Sequence, residues 1–464
     1  MNILIVGNGF DLSHYLPTKY DHFMDVMTAI EEKDTGGKKG NLEVNSLKKC
    51  MDLLDDMFER KKDEPPLNYQ MNFDELFSKT RDPNFIEKTK EFYLTENIEI
   101  CAKDIVKLQY RLELNCWYQY FKNHVEEIKT WIDFEEKIKE VIYSISNAIS
   151  FITESNESNE YRFSNSKLNA AISKRTFGVL KFFDVFEGEG AYKSFNPVFC
   201  NGEDVKNGFS LSSLLEYAQK QLDEFIEIFD LYLELIVSQL QLKCTVEIAA
   251  EHWLYPDKIF SFNYMNTFQR IHNSVKVEYL HGSHGEFQNI VLGISDLEDD
   301  ALKKLKAYGF TKYHQKLFKD TDYLFLDNFI KESEKRHKNY ELKKNLPDKE
   351  FQPANGFSST AKKDVLNRLR SELNPKMNIR IWGHSLDISD KDYIIDLFSL
   401  NDDIDRNVRV TVYYFDQNAK FMLLNNLLSI LGKDKVEQWM KNKWLVFKLN
   451  PEIKFNEMIS KKTA

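Results

Sequence analysis

At 464 residues the chain exceeds the size at which a single core stops growing, so two or more substructures are expected. With 42% hydrophobic and 29% charged residues it reads as globular, which excludes a disordered or fibrous protein. A formal net charge of −10 excludes a general nucleic-acid coat, which needs a basic surface, but leaves room for a local basic pocket that takes one phosphate ligand.

Ile3–Val6 is an unbroken apolar run closed by Gly7-Asn8-Gly9, and continuous apolarity fits a parallel strand covered on both faces. Gly36–Gly40 and Lys61–Pro66 read as loops. From 45 to 250 the periodicity is helical. Phe134, Ile138, Val141, Ile142, Ile145 and Ile149 form one apolar stripe, and Leu222, Phe225, Ile226, Phe229, Leu233, Ile236, Val237 and Leu240 form another. The polar stretch Thr153–Glu160 between them predicts an exposed loop. Strand-like runs return at Ile259–Phe262, Val277–Leu280, Ile290–Ile294, Ile379–Trp382, Val408–Phe415 and Trp444–Leu449, with a smaller helical insertion at about 299–372. No internal repeat is found. These elements predict an α/β fold with a Rossmann-like, open, mostly parallel sheet interrupted by a large all-helical insertion. Residues 1–44 and 251–464 supply the core, and 45–250 the insertion.

Five cysteines (Cys50, Cys101, Cys116, Cys200 and Cys244) form no CxxC pair and are odd in number. That argues against a disulfide framework or a zinc ribbon and for a reducing compartment. The apolar run at Ile3–Val6 is too short for a signal peptide and no stretch of about 18 apolar residues exists, so a cytoplasmic protein without a membrane span is expected.

Four segments follow predicted strands, where ligands bind in open α/β sheets. The first is Gly7-Asn8-Gly9-Phe10-Asp11. Its glycines allow a tight turn and close approach of a phosphate to backbone N–H groups, or simply an ordinary strand-to-helix turn. Neither GxGxxG nor GxxxxGK[ST] is present, which argues against a standard dehydrogenase or NTPase. In the second, Ser261-Phe262-Asn263-Tyr264, Asn263 can hold a ribose hydroxyl, a carboxamide or a water, or form a turn. The third, Leu280-His281-Gly282-Ser283-His284, offers His281 as a general base or a hydrogen-bonded structural imidazole. A metal on His281 and His284 would lack an evident third ligand, and no metal is expected. The fourth, Gly383-His384-Ser385-Leu386-Asp387, suggests backbone and hydroxyl contacts to ribose or phosphate. It is no nucleophile elbow, because Asp387 stands where GxSxG needs glycine.

In this order the segments resemble the AbiH family of bacteriophage abortive-infection proteins. The resemblance rests on Gly7-Asn8-Gly9-Phe10-Asp11-Leu12 with Leu16-Pro17-Thr18-Lys19-Tyr20, Trp131-Ile132-Asp133-Phe134-Glu135, Phe260-Ser261-Phe262-Asn263-Tyr264, His281-Gly282 and Gly383-His384-Ser385-Leu386-Asp387. The same order also resembles the SIR2 fold. That resemblance implies an NAD-consuming core. Gly7, Asn8, Gly9, Phe10, Asp11, Gly383, His384 and Ser385 would contact NAD as substrate, while Asn263 and His281 would carry the chemistry. The implied activity is an NAD hydrolase that cleaves the N-glycosidic bond and releases nicotinamide, with backbone N–H groups at Asn8 to Phe10 on the pyrophosphate. The sirtuin CxxC pairs are missing, which argues against a deacylase. Tyr15 stands where that fold has a small glycine, and Asp11 where it has serine. Expected partners are a small nucleotide substrate, a phage-derived trigger and a second copy in a homo-oligomer. Two alternatives are a nucleotide-binding sensor or scaffold without catalysis, and a nuclease effector using Asp133, Glu135, Asp387 and Asp390 on Mg²⁺. The plainer reading of Asp133 and Glu135 is acids at a helix start.

Overall fold

A computed structural model describes residues 1–34, 70–128, 131–188, 190–249, 255–272, 274–322, 324–351, 361–373, 376–402 and 407–457. Six strands form one sheet: β1 (Asn2–Val6), β2 (Lys258–Ser261), β3 (Val277–Tyr279), β4 (Met377–Trp382), β5 (Val408–Tyr414) and β6 (Leu445–Leu449). Their order is β3-β2-β1-β4-β5-β6, and every pairing is parallel. This is the doubly wound order. Connections run from β1 towards both edges, and the direction reverses between β1 and β4, the switch point at whose carboxyl side ligands bind in such sheets.

The unbroken apolarity of β1 has the expected cause. Ile3 and Ile5 enter one core with Phe260, Ile379, Ile381, Val410, Val412 and Phe398. Leu4 and Val6 enter the opposite one with Phe10, Ile259, Phe268 and Trp382. A strand buried on both faces has no polar side to present.

The chain divides into two units. The sheet unit comprises Met1–Ser13, Val246–Gly282 and Asp320–Lys454; the helical unit comprises His14–Thr245, Ser283–Lys319 and Phe455–Ala464. The first contribution to the sheet unit therefore ends at Ser13, short of the expected 44. The helix Tyr20–Glu32 explains the difference: it buries Tyr20, Phe23, Met24, Val26, Met27 and Ile30, with Phe23 meeting Phe225, Phe229 and Tyr232 edge-on. The insertion expected at about 299–372 is likewise divided. Ser283–Lys319 joins the helical unit, and the helices Asp327–Asn345 and Ala361–Leu373 join the sheet unit.

Two local expectations are corrected. Ile290–Ile294 is buried but forms no strand. Leu292 N–H donates to Gln315 Oε1, and Gln315 Nε2 and Lys319 Nζ donate to the carbonyls of Leu292 and Ile290, while Ile294 makes only an isolated parallel bridge to Thr311, its N–H on the Phe310 carbonyl at 2.9 Å and its carbonyl on Lys312 N–H at 2.8 Å. Thr153–Glu160 is no loop over most of its length, because the helix Trp131–Ser158 runs through it. The stretch is amphipathic: Ser155 is buried with its hydroxyl on the Phe151 carbonyl, and Asn156 bonds both backbone groups of Phe209. The loops read at Gly36–Gly40 and Lys61–Pro66 lie outside the described residues.

In the helical unit the stripe from Leu222 to Leu240 is buried throughout, in the helix Leu211–Tyr232 and the π-helical turn Leu233–Val237 that follows. It is packed core rather than an open face. Among the described residues no helix is long and apolar enough to cross a membrane.

Candidate functional site

The four segments singled out in the sequence all leave carboxyl ends of adjacent strands of the sheet unit: Gly7 after β1, Asn263 after β2, His281 after β3 and Gly383 after β4. Two of them interlock. Gly7 N–H donates to the Trp382 carbonyl at 3.0 Å, Gly9 N–H to the Gly383 carbonyl at 2.9 Å, and Phe10 N–H to the Gly7 carbonyl at 2.8 Å. A Cβ on Gly7 would sit 2.5 Å from His384 Cα, and one on Gly383, where φ is +73°, only 2.2 Å from Phe10 N. The glycines thus let one loop lie against the other. The N–H groups of Gly9 and Phe10, expected on a pyrophosphate, are taken by protein carbonyls.

Asn263 ties the third loop to this pair. Its Nδ2 donates to the Gly7 carbonyl at 2.8 Å, its backbone N–H bonds the Ser261 hydroxyl at 3.0 Å, and its Oδ1 is buried with no hydrogen-bond partner among the described residues. Asp11 is buried as well. Burial pushes its carboxyl up to about 7, against the pull of the Thr267 and Asn263 side chains and the Arg270 charge. An acid here is therefore partly neutral near pH 7 and repels a phosphate less than a fully ionised carboxylate would.

The remaining two segments meet at Asp390, which lies outside all four motif segments. His281 Nε2 lies 3.0 Å from Asp390 Oδ1, and His384 Nε2 lies 3.3 Å from Asp390 Oδ2. All three are buried. Phe262 packs against both imidazoles, with ring centroids 5.0 Å from His281 and 4.1 Å from His384, and against Tyr393 at 5.3 Å. Leu386 N–H bonds His384 Nδ1 at 2.9 Å. Leu386 has φ of +53° although it is a buried leucine, a left-handed conformation that costs roughly 1–2 kcal/mol and is held by core packing. Ser385 contributes its carbonyl to Asn426 Nδ2 at 3.0 Å.

From the sequence Asp390 offers itself solely as a candidate Mg²⁺ ligand. A spacing of 109 residues hides its link to His281, and its place just before the helix Lys391–Ser399 looks like capping. The other acids of that candidate set are engaged elsewhere or in the other unit. Asp387 caps its turn through Ser389 N–H at 3.0 Å, and Glu135, in the helical unit, pairs with Lys312 at 2.6 Å. Among the described residues no group of three or more His, Cys, Asp or Glu is placed to hold a metal ion. His284 belongs to the helical unit. So does Tyr15, whose left-handed φ of +57° is the conformation a glycine would favour and whose ring packs among Phe85, Phe92 and Phe455.

The family model described as bacteriophage abortive infection AbiH matches residues 3–414. That span reaches from β1 to the end of β5 and includes every residue of the rim described above, and the chain belongs to the AbiH family. No curated protein and no solved structure matches it.

Proposed function

We propose that this AbiH-family chain is an abortive-infection effector whose sheet unit is a SIR2-like nucleotide site that hydrolyses the N-glycosidic bond of NAD. The observation that carries the proposal is the placement of His281 and Asn263 at the carboxyl ends of neighbouring strands β3 and β2, beside the switch point between β1 and β4. A protein that merely held a nucleotide would not need a basic imidazole and a buried carboxamide with an open acceptor at one rim.

The chemistry asks little of an acid. Nicotinamide leaves as a neutral base with the electrons of the C1′–N bond, through an oxocarbenium-like state. Water adds to C1′ and its proton goes to a base, giving ADP-ribose and nicotinamide. His281 is that base, and a positioned base contributes about 10²–10⁴-fold. Asn263 fixes the Gly7 loop through Nδ2 and presents Oδ1 to a ribose hydroxyl or the attacking water. The half-buried Ser385 supplies a hydroxyl to the ribose. Draining NAD halts phage replication together with the host, which is the logic of abortive infection.

The test is NAD content in cells that express the chain or its His281→Ala variant, before and during phage challenge. The proposal expects NAD to fall with the intact chain alone, with His281→Ala still binding nucleotide but losing at least about 100-fold in turnover. Protection from phage at constant NAD rejects NAD depletion as the effector step and leaves the sensor or nuclease readings.

A further inference from the structure

We propose that Asp390 is the positioning residue that makes His281 basic at Nδ1, and that His384 acts as the second clamp on Asp390. The inference rests on the reading of His281 as the base, and deepens it by naming the nitrogen that works and the group that selects it.

Hydrogen-bond direction supplies the argument. The backbone N–H of Leu386 can only donate, so His384 Nδ1, 2.9 Å away, carries a lone pair. The proton of that imidazole therefore sits on Nε2, which faces Asp390 Oδ2 at an ion-pair distance of 3.3 Å. One carboxylate oxygen is now committed as an acceptor. The other, Oδ1, lies 3.0 Å from His281 Nε2. Facing two imidazoles, Asp390 is assigned the ionised form, in which both oxygens accept and neither donates, so His281 is assigned its proton on Nε2 and its lone pair on Nδ1. In hydrolysis Nδ1 takes the proton from the nucleophile, the imidazolium forms, and Asp390 holds its Nε2–H without itself becoming protonated. The surroundings hold this arrangement still. Asp390, His281 and His384 are all buried, and Phe262 packs against both rings. On this account His384 serves the site through Asp390 rather than by touching ribose.

Asp390→Asn keeps the shape and changes the direction. The carboxamide oxygen accepts from His384 Nε2–H, whose proton is fixed by Leu386. The amide N–H then faces His281 Nε2 and drives that proton to Nδ1. The experiment is ¹⁵N NMR of the ligand-free protein with ring-labelled histidine, with His281 assigned by its loss in His281→Gln. The expected result is Nε2–H on His281 in the parent chain and Nδ1–H in Asp390→Asn, with His384 unchanged and with Asp387→Asn behaving as the parent. Nδ1–H on His281 in the parent spectrum overturns the proposal, even if the variant does not fold, and so does a folded Asp390→Asn variant whose His281 keeps Nε2–H. Turnover is read in parallel: Asp390→Asn should lose on the order of 10³–10⁴ in kcat with little change in KM for NAD. A tautomer switch without any NAD cleavage would sink the NAD reading and leave Asp390 in place. Cleavage with no switch would do the reverse.

Discussion

At the rim of the sheet, Asp11, Asn263, His281, His384 and Asp390 are all buried at the ends of strands, held by loops whose glycines touch. The helical unit buries a different kind of surface. Phe121, Phe134 and Phe225 pack at centroid distances of 4.1 to 5.3 Å. Its polar groups mostly staple backbone: Trp117 Nε1 to the Ala218 carbonyl at 2.7 Å, Asn115 Nδ2 to that of Gln221 at 2.7 Å, and Gln109 Nε2 to those of Ile30 and Lys33, each at 2.8 Å. A staple is used up by folding. At the rim Asp11 Oδ1 and Asn263 Oδ1 are buried without a hydrogen-bond partner among the described residues, and they lie in the same strand-end loops as the His281–Asp390 pair. Unpartnered buried atoms alone do not set the rim apart, since Gln109 Oε1 and both His22 nitrogens in the helical unit also lack partners among the described residues; what sets it apart is that its polar groups follow the carboxyl ends of adjacent strands.

The sharpest way to break this contrast is through backbone contact. Gly383→Ala must place a Cβ where Phe10 N lies 2.2 Å away, at a φ of +73°. Left-handed strain and overpacking together predict a loss of about 2–4 kcal/mol, read as a lowered urea midpoint. The Gly383–Gly9 contact also positions His384, so the His384 ring resonances should shift. A variant as stable as the parent would mean that the two loops do not rest on each other.

Much of this was legible in the sequence, and the failures have physical causes. Ile3–Val6 and Val408–Phe415 announced themselves as strands because continuous or alternating apolarity has few other outlets. Ile290–Ile294 looked the same, since burial selects apolar residues whether a ladder or a glutamine side chain satisfies the backbone. The site was legible as four loops because glycine, asparagine and histidine interrupt apolar strands. Its connections were not. Gly7 and Gly9 read as room for a phosphate, whereas the room is filled by Gly383 and His384. Asp390 pairs with His281 across 109 residues, a contact that only the parallel order of strands creates.

Buried titratable groups give the next test, because one from each unit bends stability with pH in opposite directions. Burial pushes Asp11 up to about 7. Its contribution is fully present below the unfolded carboxylate range, near 3.9, and is lost as pH rises through 7. His22 in the helical unit is the reverse. Burial, with Lys19 adding to it, lowers it to about 3, and neither ring nitrogen has a hydrogen-bond partner among the described residues. Its contribution is fully present above the unfolded value near 6.5 and is lost as pH falls towards 3. Between pH 5 and 8, Asp11→Asn should remove a decline in stability of roughly 2–3 kcal/mol, and His22→Gln a rise of about 2 kcal/mol. Urea midpoints at the two pH values measure both. Slopes of the same sign for the two variants would show that the rim and the helical unit do not differ in this way.

The smallest effect tests the helical side of the comparison. Gly178 lies within the helix Lys174–Phe182, and a Cβ built on it meets nothing within 4 Å among the described residues. Nothing in the described chain uses its freedom, so alanine should remove unfolded-state entropy and raise helix propensity. Gly178→Ala is therefore expected to stabilise the protein by about 0.5–1 kcal/mol, where the same change at Gly383 destabilises it. A small rise in the thermal midpoint would confirm that glycine carries contact at the rim and no such role here. A fall would mean that this helix face is approached closely by something other than the described residues, and light scattering of the parent and the variant would then test for a second copy.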